Sequence, residues 1–108
     1  MVVLKPEFEH KDARRTLKQL LTADIKQINA YEAKRGAFLG NHYHKQTTEF
    51  FFIAKGTILY NDKQVFNRGA ILQVSPEENH SLLCMTDVLL LSFLTKSYTE
   101  SDPDIWKK

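Results

Sequence analysis

From Gly36 onward the chain is broken every few residues by a turn signal. Gly36, Gly56 and Gly69 and the polar stretches 45–47, 61–63, 75–79 and 86–87 leave only short apolar runs between them. Strands tolerate such spacing and helices of three turns do not. The pattern predicts strands at 37–44, 48–54, 57–60, 64–66, 70–74, 80–85 and 88–94. Gly40 interrupts the first, which suits a bulge or a close backbone approach. No strand–helix–strand alternation is visible, so the expected class is all-β, a sandwich or barrel of antiparallel strands.

The chain before Gly36 is less regular. Val2, Val3 and Leu4 can form a short strand that Pro6 confines to an edge. Leu17, Leu20 and Leu21 have helical spacing in a segment short for a helix, so a helical turn and a short strand are both open. Residues 25–31 alternate Ile25, Gln27, Asn29 and Tyr31 against Lys26, Ile28 and Ala30. A strand with two mixed faces belongs at an edge or an interface. One domain of 108 residues is expected: a barrel over about 36–95, an N-terminal extension 1–35 and a polar tail 96–108 in which Trp106 needs a docking site.

Within the stretch 36–56 lie three side chains that bind divalent metals well: His42, His44 and Glu49. On a strand, residues i and i+2 point to one face, so the two imidazoles project together. Glu49 opens the next strand, ~4.8 Å away if the two pair. His80 opens a later one. Three imidazoles and a carboxylate suit one divalent transition metal: Zn, Fe, Mn, Ni or Cu. Four protein ligands on an octahedral ion leave two positions open, whereas a tetrahedral zinc site would be closed. Phe38 shares a face with the two histidines, and Phe51 and Ile53 with Glu49. Polar groups on such faces are costly to bury unless paired or ligated. A hydrogen-bonded network without metal would satisfy them too. His10 reads as an ordinary surface histidine.

Charge and composition exclude some partners. The net charge is +2 and the basic residues are scattered, so no nucleic-acid surface is expected. No apolar run approaches the ~18 residues of a membrane span, and the N-terminus lacks the apolar core of a signal peptide. Cys84 is the only cysteine, which rules out an intrachain disulfide and fits a reducing, cytoplasmic setting. It reads as a buried small apolar residue.

The spacing Gly36-x5-His42-x-His44-x4-Glu49-x6-Gly56 resembles the first cupin motif at every position. The second motif is matched by Gly69 and His80, with Ser75, Glu77 and Cys84 standing where Pro, Gly and Asn are usual. The resemblance implies a cupin-type double-stranded β-helix, or jelly-roll barrel, with metal ligands His42, His44, Glu49 and His80. Upstream, the segments beginning at Asp12, Asp24 and Gly36 look like the opening of the sugar-nucleotide cupins, the 3,5-epimerases and ketoisomerases. There His42 would match the catalytic base. Leu39 and Arg15 depart from that pattern, and those epimerases generally need no metal.

The resemblance thus points to a metal-binding cupin acting on a small polar molecule, with isomerisation or epimerisation of a sugar or sugar nucleotide expected first. Tyr43, Tyr60 and Glu78 are candidate second groups. Metal-dependent dioxygenation and non-enzymatic ligand sensing are the alternatives. The faces of 48–54 and 88–94 are apolar on both sides, which calls for a cover. A homodimer is expected, in which the N-terminal strand can cross over; the alternative is that residues 1–30 fold back over Phe50 and Phe52 within one chain.

Overall fold

Alternation along each strand decides which side chains meet. In β11 (Val88–Leu94), Val88, Leu90, Ser92 and Leu94 are buried while Leu89, Leu91 and Phe93 are partly exposed. The computed structural model, which describes all 108 residues, has ten further strands and no helix. They are β1 (Val2–Leu4), β2 (Phe8–Lys11), β3 (Thr16–Gln19), β4 (Gln27–Ala33), β5 (Phe38–His42), β6 (Glu49–Lys55), β7 (Thr57–Tyr60), β8 (Gln64–Asn67), β9 (Ile71–Val74) and β10 (His80–Cys84).

One sheet runs β1-β9-β6-β11-β4 and a second runs β5-β10-β7-β8. Every pairing is antiparallel. The core lies between the two sheets. Phe51, Ile53, Leu72, Val74, Val88 and Leu90 come from the first, Ile58, Tyr60, Leu82 and Cys84 from the second. Each fully buried aliphatic chain among them stabilises the sandwich by about 1.5–3 kcal/mol. This is the all-β jelly roll that the turn spacing predicts, and β1 and β4 take the two sheet edges foreseen for them.

The N-terminal segment is where the structure corrects the sequence. Leu17, Leu20 and Leu21 form no helix. Residues 16–19 pair instead with β2 in a separate hairpin, closed by Asp12, whose Oδ1 accepts the N–H groups of Arg14 and Arg15. All eight residues of β2 and β3 are exposed. Three leucines in so short a segment give too little helix-forming drive, and the local Asp12 turn decides the conformation.

Gly40 answers both expectations placed on it. The register of β5 against β10 shifts between His80 and Ser81, with Asn41 the extra residue in a bulge. Gly40 and Asn41 both take positive φ, at 83° and 70°. A Cβ on Gly40 would sit 3.0 Å from the carbonyl oxygen of His80. Such a bulge re-aims the side chains beyond it, here His42 and its successors.

Candidate metal centre

The four histidine and glutamate side chains converge although they come from four places. His42 ends β5 opposite His80, which begins β10. Glu49 begins β6 in the facing sheet, and His44 lies at the corner between β5 and β6. One ligand atom from each lies within 4.8 Å of all the others. Three of the four are buried, and His42 is half-buried. They form the floor of a cavity of about 510 Å³. Gln27, Asn29 and Tyr31 of β4 line its wall, along with Phe38, Tyr98 and Ile105. The strand face that alternates Gln27, Asn29 and Tyr31 in the sequence is therefore the cavity face.

Glu49 is the hub. Its Oε1 lies 3.0 Å from His44 Nε2 and 3.3 Å from His80 Nε2. Its Oε2 accepts the Ser92 hydroxyl at 2.5 Å. Burial would raise this carboxyl, but the bonds from His44 and His80 prevail and hold it down to about 2. It is an anion at neutral pH.

His44 is fixed from behind. Its Nδ1 faces the carbonyl of Asp104 at 2.7 Å, so that nitrogen carries a proton and donates it. Nε2 therefore faces Glu49 either with a second proton or with a lone pair. Burial disfavours the doubly protonated ring, yet the Glu49 bond and the Asp104 carbonyl outweigh burial and raise its pKa. His80 Nδ1 similarly faces the Glu78 carbonyl, at a longer 3.4 Å. His42 differs. Its ring makes no hydrogen bond within the protein, and burial, followed by the neighbouring His80 and His44, pushes it down to about 4. At neutral pH it keeps a free lone pair.

These residues fit a divalent ion. Two ligands about 2.1 Å from one ion and cis to each other are separated by about 3.0–3.4 Å, which matches the spacings at Glu49 Oε1. One proton between a carboxylate oxygen and two imidazole nitrogens satisfies only one of them. An ion satisfies all, with Nδ1 of each buried histidine already turned to a carbonyl, as metal-bound histidines require.

The three second groups named from the sequence fall elsewhere. Tyr60 is buried in the core, its hydroxyl unpartnered. Glu78 pairs with the N-terminal amine. Tyr43 forms a two-way backbone bridge with Trp106. None lines the cavity. Tyr31 and Tyr98 do. Tyr31 is held protonated, its pKa raised by burial first and the Glu49 charge second. Cys84 is buried, as expected, and burial raises its thiol.

Asp104 was not legible as part of the site. It sits in the tail at φ 49°, 4% exposed. Its carboxylate accepts the N–H groups of Lys45, Gln46 and Thr47, the Thr47 hydroxyl and the Trp106 indole N–H. Those bonds lower its pKa well below the usual carboxylate range despite burial. An acid sixty residues away in sequence gives no local signal of this; only the positions of Asp and Trp in a polar tail hint at docking.

No protein-family model matches the chain. Among solved structures, the chain is similar to QdtA, a sugar 3,4-ketoisomerase from Thermoanaerobacterium thermosaccharolyticum solved with TDP. The TM-score is 0.79 at 16% identity, covering 99% of this chain and 87% of that one. It is also similar to ChmJ, a 3'-monoepimerase from Streptomyces bikiniensis solved with dTDP-quinovose, with TM-score 0.74 at 15% identity over 92% of this chain and 65% of that one. The fold is the cupin fold. In sequence the chain is 23% identical over 111 residues to a UDP-2-acetamido-2,6-beta-L-arabino-hexul-4-ose reductase from Pseudomonas aeruginosa. That match takes in 90% of this chain but only 30% of the relative's length. No helix of the chain is long and apolar enough to cross a membrane.

Proposed function

We propose that the cavity takes a keto sugar carried on a nucleotide and shifts a proton on the carbon beside its carbonyl, an epimerisation or isomerisation, with one divalent transition metal held by His42, His44, Glu49 and His80. The observation that carries this reading is the free lone pair of His42 beside the Glu49 hub at the cavity floor. A histidine that is uncharged at neutral pH offers the lone pair of one nitrogen to an ion without competition from a second proton. The ketoisomerase and epimerase neighbours support the substrate class, and the reductase relative is a sugar-nucleotide protein by its name.

When bound, the ion would polarise a carbonyl oxygen as a Lewis acid. The chain supplies the rest. Gln27 and Asn29 offer amide donors and acceptors to sugar hydroxyls, and Asn29 Oδ1 already accepts from Gln27 Nε2 at 3.0 Å. Tyr31, protonated, is placed to donate a proton into the cavity. The apolar wall of Phe38, Leu39, Leu82 and Leu90 limits water around the reacting carbon.

A second reading rests on the same atom. His42 alone among the three histidines makes no bond to Glu49, so without a metal it would be the proton-accepting base. Turnover of a keto-sugar nucleotide, measured with and without chelator and in His42→Ala, separates the two. Loss of turnover on chelation supports the metal. Turnover that survives chelation but not His42→Ala supports the base. If His42→Ala keeps both its metal and its turnover, both readings fail.

The reading includes a homodimer. The β2–β3 hairpin leaves Phe8 and Leu17 exposed, and a lone two-stranded hairpin is marginal in water. The outer face of β6 and β11 also carries Phe52, Leu91 and Phe93. A solution mass equal to the monomer at all concentrations would remove the dimer.

A further inference from the structure

The tail residue Asp104 stands behind His44 and grips the segment that follows it. Its two carboxylate oxygens are both saturated. Oδ1 accepts the N–H of Lys45 at 2.9 Å and the indole N–H of Trp106 at 3.1 Å. Oδ2 accepts the N–H of Gln46 at 2.8 Å, the N–H of Thr47 at 2.9 Å and the Thr47 hydroxyl at 2.7 Å. Its carbonyl takes the His44 Nδ1 proton at 2.7 Å. One buried residue therefore sets both the backbone after His44 and the tautomer of its ring. The tail is held to the barrel on either side of that contact. Tyr43 and Trp106 exchange backbone hydrogen bonds at 2.8 and 2.9 Å, and Lys45 Nζ lies 3.8 Å from the centre of the Trp106 ring. From the other side, the N–H of Glu77 donates to the His44 carbonyl at 2.6 Å.

We propose that Asp104 is a positioning residue for the metal centre: through its carboxylate grip on 45–47 and its carbonyl bond to Nδ1, it holds His44 as the tautomer whose Nε2 lone pair is aimed at the ion. The proposal rests on the metal reading for its consequence, but the bond from Nδ1 to the Asp104 carbonyl is made without metal. A side chain that only stabilised the turn would need no bond to the ring. The ring bond comes from the same residue whose carboxylate fixes the turn, so displacing one displaces the other. Asp104 holds positive φ, which Asp and Asn adopt more readily than other non-glycine residues. Asn is therefore the substitution that tests the carboxylate while sparing the backbone. Its NH2 cannot replace an oxygen that accepts three donors.

The test compares wild type, Asp104→Asn and Thr47→Val in two measurements. Cobalt(II) affinity is read by competition with a coloured chelator, together with the visible spectrum of the bound ion. The protonated nitrogen of His44 is read in the metal-free protein by long-range proton–nitrogen NMR. Asp104→Asn should weaken cobalt binding by about 10–100-fold, the usual effect of removing a partner behind a metal ligand, change the visible spectrum, and mix the His44 tautomers. Thr47→Val removes one of the five donors and should shift all three readouts less, in the same direction; it carries the test if Asp104→Asn does not fold. A variant with lowered thermal stability but unchanged cobalt affinity and an unchanged Nδ1 proton overturns the proposal. A wild type that binds no cobalt removes the metal reading instead, and the NMR measurement then decides the positioning role alone.

Discussion

The two ends of this chain solve the same problem in opposite ways. The N-terminal hairpin β2–β3 has a regular ladder of hydrogen bonds and buries nothing. The segment around Asp104 has no regular structure beyond a single bridge, yet it is tied to residues 43–47 by hydrogen bonds that saturate a buried carboxylate. The lesson is that a ladder is not anchorage. Backbone pairing satisfies donors locally, whereas a buried charged acceptor makes its donors depend on it, because they cannot return to water. The irregular end is therefore the one on which the site depends.

The largest break in that contrast is Asp104→Ala. It orphans backbone N–H groups at the corner before β6 and should cost at least about 3 kcal/mol in urea denaturation. A loss under about 1 kcal/mol would mean that water replaces the carboxylate.

Acid attacks the same end of the comparison. His42 is held down to about 4 from an ordinary 6.5, so the folded chain binds fewer protons than the unfolded one between those values. Its stability contribution is present above about 6.5 and lost as pH falls towards 4. The full shift corresponds to about 3 kcal/mol, and half-burial reduces the expectation to about 2 kcal/mol. Glu49 adds a further loss only as pH falls from 4.5 towards 2. His44, whose pKa is raised, acts in the opposite direction over this range, so the first loss is read as a difference: between pH 7 and pH 4.5 the metal-free protein should lose more stability on denaturation than His42→Gln does. Equal acid sensitivity in the two proteins would place the titrating group elsewhere.

Glu77 sharpens the comparison on a smaller scale. It occupies a position where the motif usually has Gly, and it takes φ 72° while its N–H holds the His44 carbonyl. The left-handed backbone costs a non-glycine residue about 1–2 kcal/mol, part of which glycine returns as unfolded-state entropy. Glu77→Gly should stabilise the chain by about 0.5–1 kcal/mol on thermal unfolding. A destabilised variant would show that the Glu77 side chain matters more than its φ.

The smallest effect belongs to the bare hairpin. Phe8→Ser and Leu17→Ser should change monomer stability by no more than about 0.5 kcal/mol, while lowering the solution mass if the hairpin seats a second copy. A larger loss in dilute protein would mean that the hairpin is anchored after all.

Most of the barrel was legible because turn residues and alternation are local properties. The seven strands expected after Gly36 all appear, with ends shifted by a residue or two, and the bulge at Gly40 is where its backbone freedom was needed. His42, His44, Glu49 and His80 were legible as a set from their residue types and the motif spacing they match, although His44 lies at a corner past the end of β5, where strand alternation no longer fixes which way it points. The N-terminal segment stayed open between helix and strand because three leucines in so short a stretch fix neither period; Leu17 lies exposed in β3, while Leu20 and Leu21 are half-buried beyond its end. The polar side chains that line the cavity were missed for a different reason. Tyr43, Tyr60 and Glu78 are near the histidines in sequence, but the cavity wall comes from β4, which reaches it by pairing with β11 at the sheet edge.

By itself, then, the sequence determined the strand pattern and the residue types that can share a metal, since both follow from the period-two geometry of an extended chain. Only the tertiary structure decided that Glu49 of one sheet would stand between histidines of the other and the corner, that Tyr31 would face them, and that Asp104 would hold His44 from behind. These are contacts between residues far apart along the chain. They exist only once two sheets have closed on a common core, and no local preference of the residues involved specifies them.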